Sequence, residues 1–143
     1  MGKTSGNIKS NPDKYNSSSE ARKREGYVKA MQPLLKKNVV KPIGNGESIK
    51  IKFTIKGNKH IVDDILKGKS GLTKKDLPKL DSYLREAKYE SSAGLKHPRK
   101  DDIVKFYYFR DRNKNIRYHV AEKIYKHNGI EHIQRFLYAI TKE

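Results

Sequence analysis

Two strand-like runs separated by a short polar turn constrain the fold of this chain more than any other feature. The runs 103–110 and 116–124 are rich in aromatic and β-branched residues, and they flank the polar segment Asp-Arg-Asn-Lys-Asn at 111–115. Strand-forming runs joined by so few turn residues favour a β-hairpin. Asn128-Gly129 predicts another turn further along. We therefore expect an antiparallel sheet in the C-terminal half of the chain.

The upstream half of the chain is predicted to hold helices and one strand. In the segment 49–55, Ile and Phe alternate with Lys and Thr, which predicts a half-buried strand with a cationic outer face. Helices are predicted at 19–37, 61–66 and 73–87, turns or loops at 41–46 and 91–100, and a short helix followed by a strand at 130–141. The helix from Thr73 begins with a pattern that resembles a capping box, with Asp76 in the place of Glu. The fold class is therefore α+β, with N-terminal helices packed on a twisted antiparallel sheet.

The charge of the chain points to a partner rich in negative charge. Lys and Arg number 33 against 16 Asp and Glu, which gives a net charge of +17, and only 34% of the residues are hydrophobic. Such a balance favours nucleic acid as the partner, with an anionic membrane surface or an acidic protein as alternatives. Cysteine is absent, which excludes a disulfide frame, a thiol nucleophile and a thiolate metal site.

The N-terminal segment and the apolar runs bear on location. Residues 1–18 are mostly Gly, Ser, Asn and Lys, so we expect a disordered arm there. The chain starts without the apolar region of a signal peptide, and no apolar run approaches the roughly 20 residues that span a bilayer. We therefore expect no stable membrane insertion and a cytosolic place of action.

Lys59-His60 is the first candidate for chemistry. A histidine titrates near neutral pH and can take or give a proton, while a neighbouring cation and a helix N-terminus both attract a phosphate. The pair therefore suits metal-free cleavage of a phosphodiester. The same two residues could instead bind a phosphate without cleaving it, and a histidine at the start of a helix is also a common capping or packing residue.

The predicted sheet supplies a second group of candidates. If the apolar strand faces cover the helices, the exposed face carries Lys105, Tyr107, Arg117, His119 and Lys123. The cationic face of the first strand adds to this surface. Cations beside an aromatic ring suit single-stranded RNA, whose phosphates meet the cations and whose bases stack on rings. An ordinary solvated sheet face is the alternative interpretation.

No metal site or cofactor is expected. The spacing of His97, His119, His127 and His132 matches no metal-binding motif, and the adjacent aspartates at 63–64 and 101–102 are typical of helix ends and loops. No glycine-rich phosphate loop or hydrolase nucleophile motif is present.

Several segments together resemble a known group of small ribonucleases. The segments are Ile-Lys-Gly-Asn-Lys-His-Ile (55–61), Leu-Arg-Glu-Ala-Lys-Tyr-Glu (84–90), Val-Lys-Phe-Tyr-Tyr-Phe-Arg (104–110), Ile-Arg-Tyr-His-Val (116–120) and Phe-Leu-Tyr-Ala-Ile-Thr (136–141). Their order over residues 48–143 resembles the barnase–EndoU–colicin E5/D–RelE superfamily, which includes C-terminal toxin domains of contact-dependent growth inhibition and other polymorphic toxin systems.

The resemblance implies metal-independent cleavage of RNA, commonly tRNA, in which the ribose 2′-hydroxyl attacks the adjacent phosphorus and leaves a 2′,3′-cyclic phosphate. It implies that His60 is a general acid or base and that Lys59 steadies the phosphate. The residues that best match the rest of the site are Lys105, Tyr107, His119 and Thr141. Further RNA contacts are expected from Lys52, Lys56, Lys88, Arg110, Arg117 and Lys123. The Glu–Arg–His set of the secreted bacterial ribonucleases is missing, so no carboxylate base is assigned.

The resemblance also implies partners and a division of the chain. Residues 46–143 would be the ribonuclease toxin domain, and residues 1–45 a flexible arm plus a helix that serve as a junction or delivery segment. The toxin would be monomeric apart from a complex with a cognate acidic immunity protein. It would be delivered from a producing bacterium and act in the cytoplasm of the target cell. Two alternatives are a non-catalytic RNA- or DNA-binding module and an antitoxin-like or phage accessory protein with a decayed nuclease fold.

Overall fold

The computed structural model of the chain describes residues 12–97 and 99–143. The helices are α1 (Pro12–Ala30), α2 (Ile55–Leu66) and α3 (Leu80–Glu86), with 3-10 turns at Gln32–Lys36 and Lys74–Lys79. The strands are β1 (Asn38–Gly44), β2 (Glu47–Lys52), β3 (Lys88–Gly94), β4 (Ile103–Asp111), β5 (Ile116–His127) and β6 (Ile130–Lys142). The predicted α+β class is confirmed.

The six strands form one mixed sheet in the order β1-β2-β6-β5-β4-β3. Neighbouring strands are antiparallel except β2 and β6, which run parallel and meet at Lys52 and Phe136. The expectation of a wholly antiparallel sheet is therefore corrected at this one pairing. It joins strands far apart in the sequence, which no turn signal can indicate.

The sheet buries apolar residues on both faces, although unequally. The main core lies between the helices and one face of the sheet, and it includes the fully buried Leu84, Phe109 and Tyr118. A second cluster on the opposite face of β4, β5 and β6 is formed by Ile103, Phe106, Ala121 and Phe136. The half-buried rings of Tyr108 and Tyr138 pack against this second cluster.

Helix α2 begins earlier than the sequence predicts. The predicted strand at 49–55 ends at Lys52, and Thr54 then caps the helix by accepting a hydrogen bond from the Gly57 N–H at 3.0 Å. A threonine oxygen in this position satisfies a donor that the first turn leaves free. Gly57-Asn58 is consequently part of the helix rather than a break, and Lys59-His60 lies inside the helix rather than before it.

The glycine in the first turn of α2 allows the helix to lie close to β6. A Cβ atom at Gly57 would stand 2.3 Å from the backbone oxygen of Leu137 and 3.1 Å from the Phe136 ring. Real Cβ atoms do not come so close to a backbone oxygen, so only glycine permits this approach. The close crossing holds His60, one turn further along the helix, against the strand.

Replacing that glycine should therefore destabilise the fold. We expect Gly57→Ala to lower the free energy of unfolding by about 1–3 kcal/mol, because the helix must move away from β6. Urea unfolding followed by circular dichroism measures the change. Gly94→Ala is a matched control, since a Cβ atom there meets nothing within 4 Å. Equal midpoints for the two variants would show that the close crossing is not required.

Three other predicted elements are corrected. The predicted turn at 41–46 is largely strand β1, in which the buried Lys41 donates to the Arg85 carbonyl oxygen at 2.7 Å and burial lowers the pKa of its amine. The predicted loop at 91–100 begins as strand β3, which pairs with β4. The predicted helix within 130–141 is wrong, because the whole segment belongs to β6.

The N-terminal predictions divide into several outcomes. Of the predicted disordered arm, residues 12–18 begin α1, and residues 1–11 lie outside the described residues. The predicted helix at 19–37 ends as an α-helix at Ala30 and continues as a 3-10 turn. The predicted boundary between residues 45 and 46 falls in the turn that joins β1 to β2. Because β1 is part of the sheet, the segment 38–44 is structurally continuous with the rest of the fold.

The hairpin of β4 and β5 and the turn at Asn128-Gly129 are confirmed, and both turn residues have a positive φ. The predicted orientation of β4 is wrong. Tyr107 and Phe109 point into the main core, whereas Phe106 and Tyr108 lie on the opposite face. Aromatic residues occupy both phases of this strand because both faces are partly buried, so alternation alone could not indicate which phase faces the helices.

Candidate active site

Helix α2 places His60 against the face of the sheet that carries the second cluster. The imidazole stacks on the Tyr138 ring, with centroids 4.1 Å apart and planes inclined by 26°. One turn along the helix, Asp64 brings a carboxylate oxygen to 3.5 Å from the buried Nδ1 atom of His60. That distance allows an ion pair but is too long for a well-formed hydrogen bond. The carboxylate therefore orients the ring loosely from behind.

A β-bulge in β6 lies at Tyr138, the residue on which His60 stacks. His119 pairs with Ala139 and Val120 pairs with Leu137, so Tyr138 has no partner opposite it in β5. An extra residue of this kind turns its side chain and bends the strand. Tyr138 shares the second face with Phe136, two residues before it, and lies between the Phe106 ring at 5.6 Å and His60, while the extra residue shifts the strand's phase so that Thr141 also reaches this face.

His119 reaches the same face from the centre of β5. Its Nε2 atom lies 2.8 Å from the Thr141 hydroxyl oxygen on β6, and the direction of that hydrogen bond depends on the tautomer. The Tyr108 ring meets the imidazole edge-on, with centroids 5.2 Å apart. Two contacts from different strands therefore fix the ring of His119.

The surroundings of His119 favour its neutral form. Burial lowers the pKa of the imidazole, and the Arg117 guanidinium lowers it further, while the Asp64 and Glu143 carboxylates raise it and His60 lowers it. A lowered pKa means that the ring is uncharged and can accept a proton near neutral pH.

A guanidinium lies above the aromatic rings. Arg99, in the connection between β3 and β4, donates to the Tyr138 hydroxyl oxygen at 3.2 Å, and its Cζ atom lies 5.6 Å from the Tyr138 ring centroid and 5.8 Å from that of Phe106. Asp101 holds this guanidinium through two hydrogen bonds of 3.1 and 2.8 Å. A cation fixed in this manner, above the Tyr138 ring on which His60 stacks, can contact an anionic substrate.

A second pair of cations is engaged by carboxylates. Arg110 and Arg117 lie opposite each other on β4 and β5, and both contact Glu90 at 2.8 Å. Glu143 contacts the same two guanidinium groups at 2.7 and 3.3 Å. The Arg117 guanidinium also lies 5.4 Å from the Tyr108 ring centroid, which brings it to the edge of the site. The two arginines were predicted RNA contacts, and any phosphate would compete there with two carboxylates.

Of the predicted catalytic set, His60, His119 and Thr141 lie on the second face of the sheet, where His60 stacks on Tyr138 and His119 contacts Tyr108 and Thr141. The structure does not bring Tyr107 to them, because that ring is buried on the side of the main core and its hydroxyl donates to Glu122 at 2.8 Å. Lys105 lies on the same side of the sheet as Tyr107, and its Nζ atom is 4.8 Å from the centroid of that ring. Lys59 is exposed on α2 beside His60.

The other predicted RNA contacts are spread over the surface. Lys52 and Lys56 are exposed near the start of α2, and the charge of Lys56 acts on the pKa of Asp101. Lys88 is exposed on the edge strand β3, where it lines a cleft with Glu90 and Arg110. Lys123 lies on β5, with its Nζ atom 5.3 Å from the Tyr125 ring centroid.

Four residues of the site were not predicted as members of it: Asp64, Arg99, Tyr108 and Tyr138. The four-residue spacing from His60 to Asp64 was a usable signal, because residues so spaced share a helix face. Tyr108 was assigned to the wrong face of β4. Tyr138 shares the face of Phe136 by strand alternation, but the sequence does not indicate which face that is, and Arg99 depends on the path of a loop, which carries no signature in the sequence.

Within the part of the chain that the structure describes, no three His, Asp or Glu side chains are arranged so that they could hold a metal ion. None of the described helices combines the length and apolar character needed to cross a membrane.

Comparisons with known proteins found no match: no family model fits the chain, and neither a curated protein nor a solved structure is similar to it.

Proposed function

We propose that this chain is a metal-independent endoribonuclease that cleaves RNA, with tRNA as the expected substrate, by attack of a ribose 2′-hydroxyl on the adjacent phosphorus. The observation that carries the proposal is that two histidines from different elements, His60 of α2 and His119 of β5, lie on one aromatic surface, in which Phe106 joins the half-exposed Tyr138 and Tyr108 rings that they contact. Such cleavage needs one group that takes a proton and another that gives one.

His119 is the proposed base. Its lowered pKa keeps the imidazole neutral near pH 7, so it can remove the proton of the 2′-hydroxyl as the oxygen attacks phosphorus. The Thr141 hydroxyl, at 2.8 Å from Nε2, holds the ring in a fixed orientation. Thr141 thus acts on the substrate through His119.

His60 is the proposed acid. When the bond from phosphorus to the 5′-oxygen breaks, His60 donates a proton to that oxygen, and the products are a 5′-hydroxyl and a 2′,3′-cyclic phosphate. Asp64 behind Nδ1 and the Tyr138 ring beneath the imidazole position it for that transfer. The two histidines end with exchanged protonation states, which solvent restores.

Cations and rings complete the proposed site. Arg99 and Lys59 supply positive charge for the phosphate, whose negative charge grows at the equatorial oxygens during attack. The half-exposed Tyr108 ring offers a surface on which a base can stack. Lys105 and Tyr107 are left out of this mechanism because they lie on the other side of the sheet.

The wider biological role follows from the resemblance to the barnase–EndoU–colicin E5/D–RelE superfamily. We infer a bacterial toxin that is delivered from a producing cell, acts in the cytoplasm of the target cell and is neutralised by a cognate immunity protein. Because the net charge of the chain is +17, an immunity protein with an acidic surface would be electrostatically complementary to it.

Purified protein incubated with total tRNA and EDTA tests the proposal. We expect discrete fragments, since no step requires a metal ion. RNA that stays intact but shifts on a native gel, with a steep dependence on salt, would contradict the enzyme and favour the non-catalytic binding module.

A further inference from the structure

The hairpin of β5 and β6 extends beyond the rest of the sheet. The pairing of β4 with β5 ends at Ile103 and Lys123, whereas β5 and β6 remain paired with each other up to His127 and Ile130. We call the protruding part, residues 124–133, the arm; it is distinct from the arm that the sequence predicts at residues 1–18. None of the steps of the proposed cleavage uses it.

One face of the arm carries rings and positive charge. Tyr125 and His132 are directly paired across the hairpin, with their rings stacked at 5.4 Å and inclined by 21°. The His127 ring lies 6.1 Å from that of His132, and the Lys123 Nζ atom lies 5.3 Å from the centroid of the Tyr125 ring. These four side chains are half-exposed or exposed. The face therefore combines stacking surfaces with a cation.

This face is continuous with the candidate active site. Side chains alternate along a strand, so Lys123, Tyr125 and His127 lie on the same side of β5 as His119. Arg99 lies over Phe106, which is on the same face of β4 as Tyr108 and two residues closer to the arm. A basic and aromatic track therefore runs from His119 past Arg99 to Tyr125.

The length of the track sets the size of ligand that could use it. His119 and Tyr125 are about six residues apart, or roughly 20 Å along a strand. At the spacing of a stacked nucleic acid strand, about 3.4 Å, that distance corresponds to roughly six nucleotides. A dinucleotide bound at the candidate active site would not reach the arm, whereas a longer single strand would.

We propose that the arm is a second binding site, which holds single-stranded RNA continuing out of the candidate active site. Its rings stack on bases and Lys123, at its base, meets phosphates, as in sequence-tolerant single-strand binding. The opposite face of the arm, with Ile124, Lys126, Glu131 and Ile133, lacks the aromatic rings. This inference rests on the proposed function for the position of the scissile phosphate, but the binding itself can be measured without cleavage.

The test compares two double variants on opposite faces of the arm. Tyr125→Ala with His132→Ala removes the ring pair, and Lys126→Ala with Ile133→Ala makes two truncations on the other face of the same strands. The probe is a fluorescent 2′-O-methyl oligoribonucleotide of about twelve nucleotides, which exceeds the track and cannot undergo 2′-hydroxyl attack. Fluorescence anisotropy gives the dissociation constant. We expect the ring-pair variant to bind about tenfold more weakly and the opposite-face variant to change less than about twofold.

Equal weakening in both variants, or in neither, would overturn the arm as an RNA site. If the ring-pair variant lost binding to an acidic polypeptide such as polyglutamate but kept its binding to the oligonucleotide, the RNA site would be overturned in favour of a protein partner. Cleavage adds a second readout: the ring-pair variant should show a lower ratio of long-RNA to dinucleotide cleavage than the unaltered protein. If the unaltered protein cleaves neither substrate but binds the oligonucleotide through the ring pair, the ribonuclease proposal fails while the arm site stands.

Discussion

Replacing His60 by alanine is expected to lower the rate of RNA cleavage by about a hundredfold to ten-thousandfold, the usual contribution of a general acid or base. The side chain is partly exposed at the edge of the second cluster, so its loss should leave the fold intact. Single-turnover cleavage of a labelled RNA measures the rate, and circular dichroism checks the fold. Asp64→Asn keeps the imidazole but removes the charge behind it, and we expect a smaller loss.

His97→Ala is the matched control for His60→Ala, because it removes an exposed imidazole from the connection between β3 and β4. Its rate should stay close to that of the unaltered protein. Similar rates for the two variants would show that His60 is not the acid, whatever the remaining activity.

The second large effect is expected at His119, where both the rate and its pH dependence should change. His119→Gln retains a group that can hydrogen-bond to Thr141 but cannot act as a base, so we expect a loss of about a hundredfold or more near neutral pH. In the unaltered protein the rate should rise as His119 loses its proton. That rise should lie below the ordinary histidine value of about 6.5, because burial and Arg117 lower the pKa. The glutamine variant should lack it.

Arg117→Met supplies the sign test for that prediction. Removing the positive charge while Glu90 and Glu143 remain should raise the pKa of His119, so the rise in rate should move to higher pH. A shift to lower pH would contradict the assignment of His119 as the base.

The lowered pKa of His119 also means that the unfolded chain binds more protons than the folded one below about pH 6.5, so stability falls as the pH drops through this range. Circular dichroism at each pH separates loss of fold from loss of catalysis.

Local signals in the sequence were sufficient for the elements that depend on local chemistry. The β4–β5 hairpin and the turn at Asn128-Gly129 follow from short polar turns between strand-forming runs, and both are confirmed. Thr73 and Asp76 also interact as the capping pattern suggests, with the Thr73 N–H donating to the carboxylate at 2.8 Å. The helix beyond them was not wholly α-helical, since Pro78 lies inside a 3-10 turn.

Features that depend on long-range packing could not be predicted. The alternation through Ile55 continued the strand pattern past its true end, because a capping threonine competes with a strand residue at Thr54. In β4 both phases carry aromatic residues, so the phase facing the main core is decided only by the two clusters that form around it. The parallel contact of β2 with β6 likewise arises from the assembled sheet.

The candidate site shows the same division. His60 and His119 could be selected from residue type and from their places on a predicted helix and strand. The placement of His60 on the second face depends on the close crossing at Gly57, and that of Thr141 beside His119 on the bulge at Tyr138; both are properties of the packed chain. Arg99 reaches the candidate site because of the path of the loop before β4, which the sequence does not indicate.

End-group analysis of the cleaved RNA is the most direct test of the central claim, that His60 and His119 carry out metal-free cleavage through the 2′-hydroxyl. The reaction is run in EDTA with a labelled RNA, and the new 3′ ends are identified. We predict 2′,3′-cyclic phosphate ends with the unaltered protein and none above background with the His60→Ala, His119→Gln double variant. Ends with a free 3′-hydroxyl, or cyclic ends formed equally by the double variant, would contradict the account.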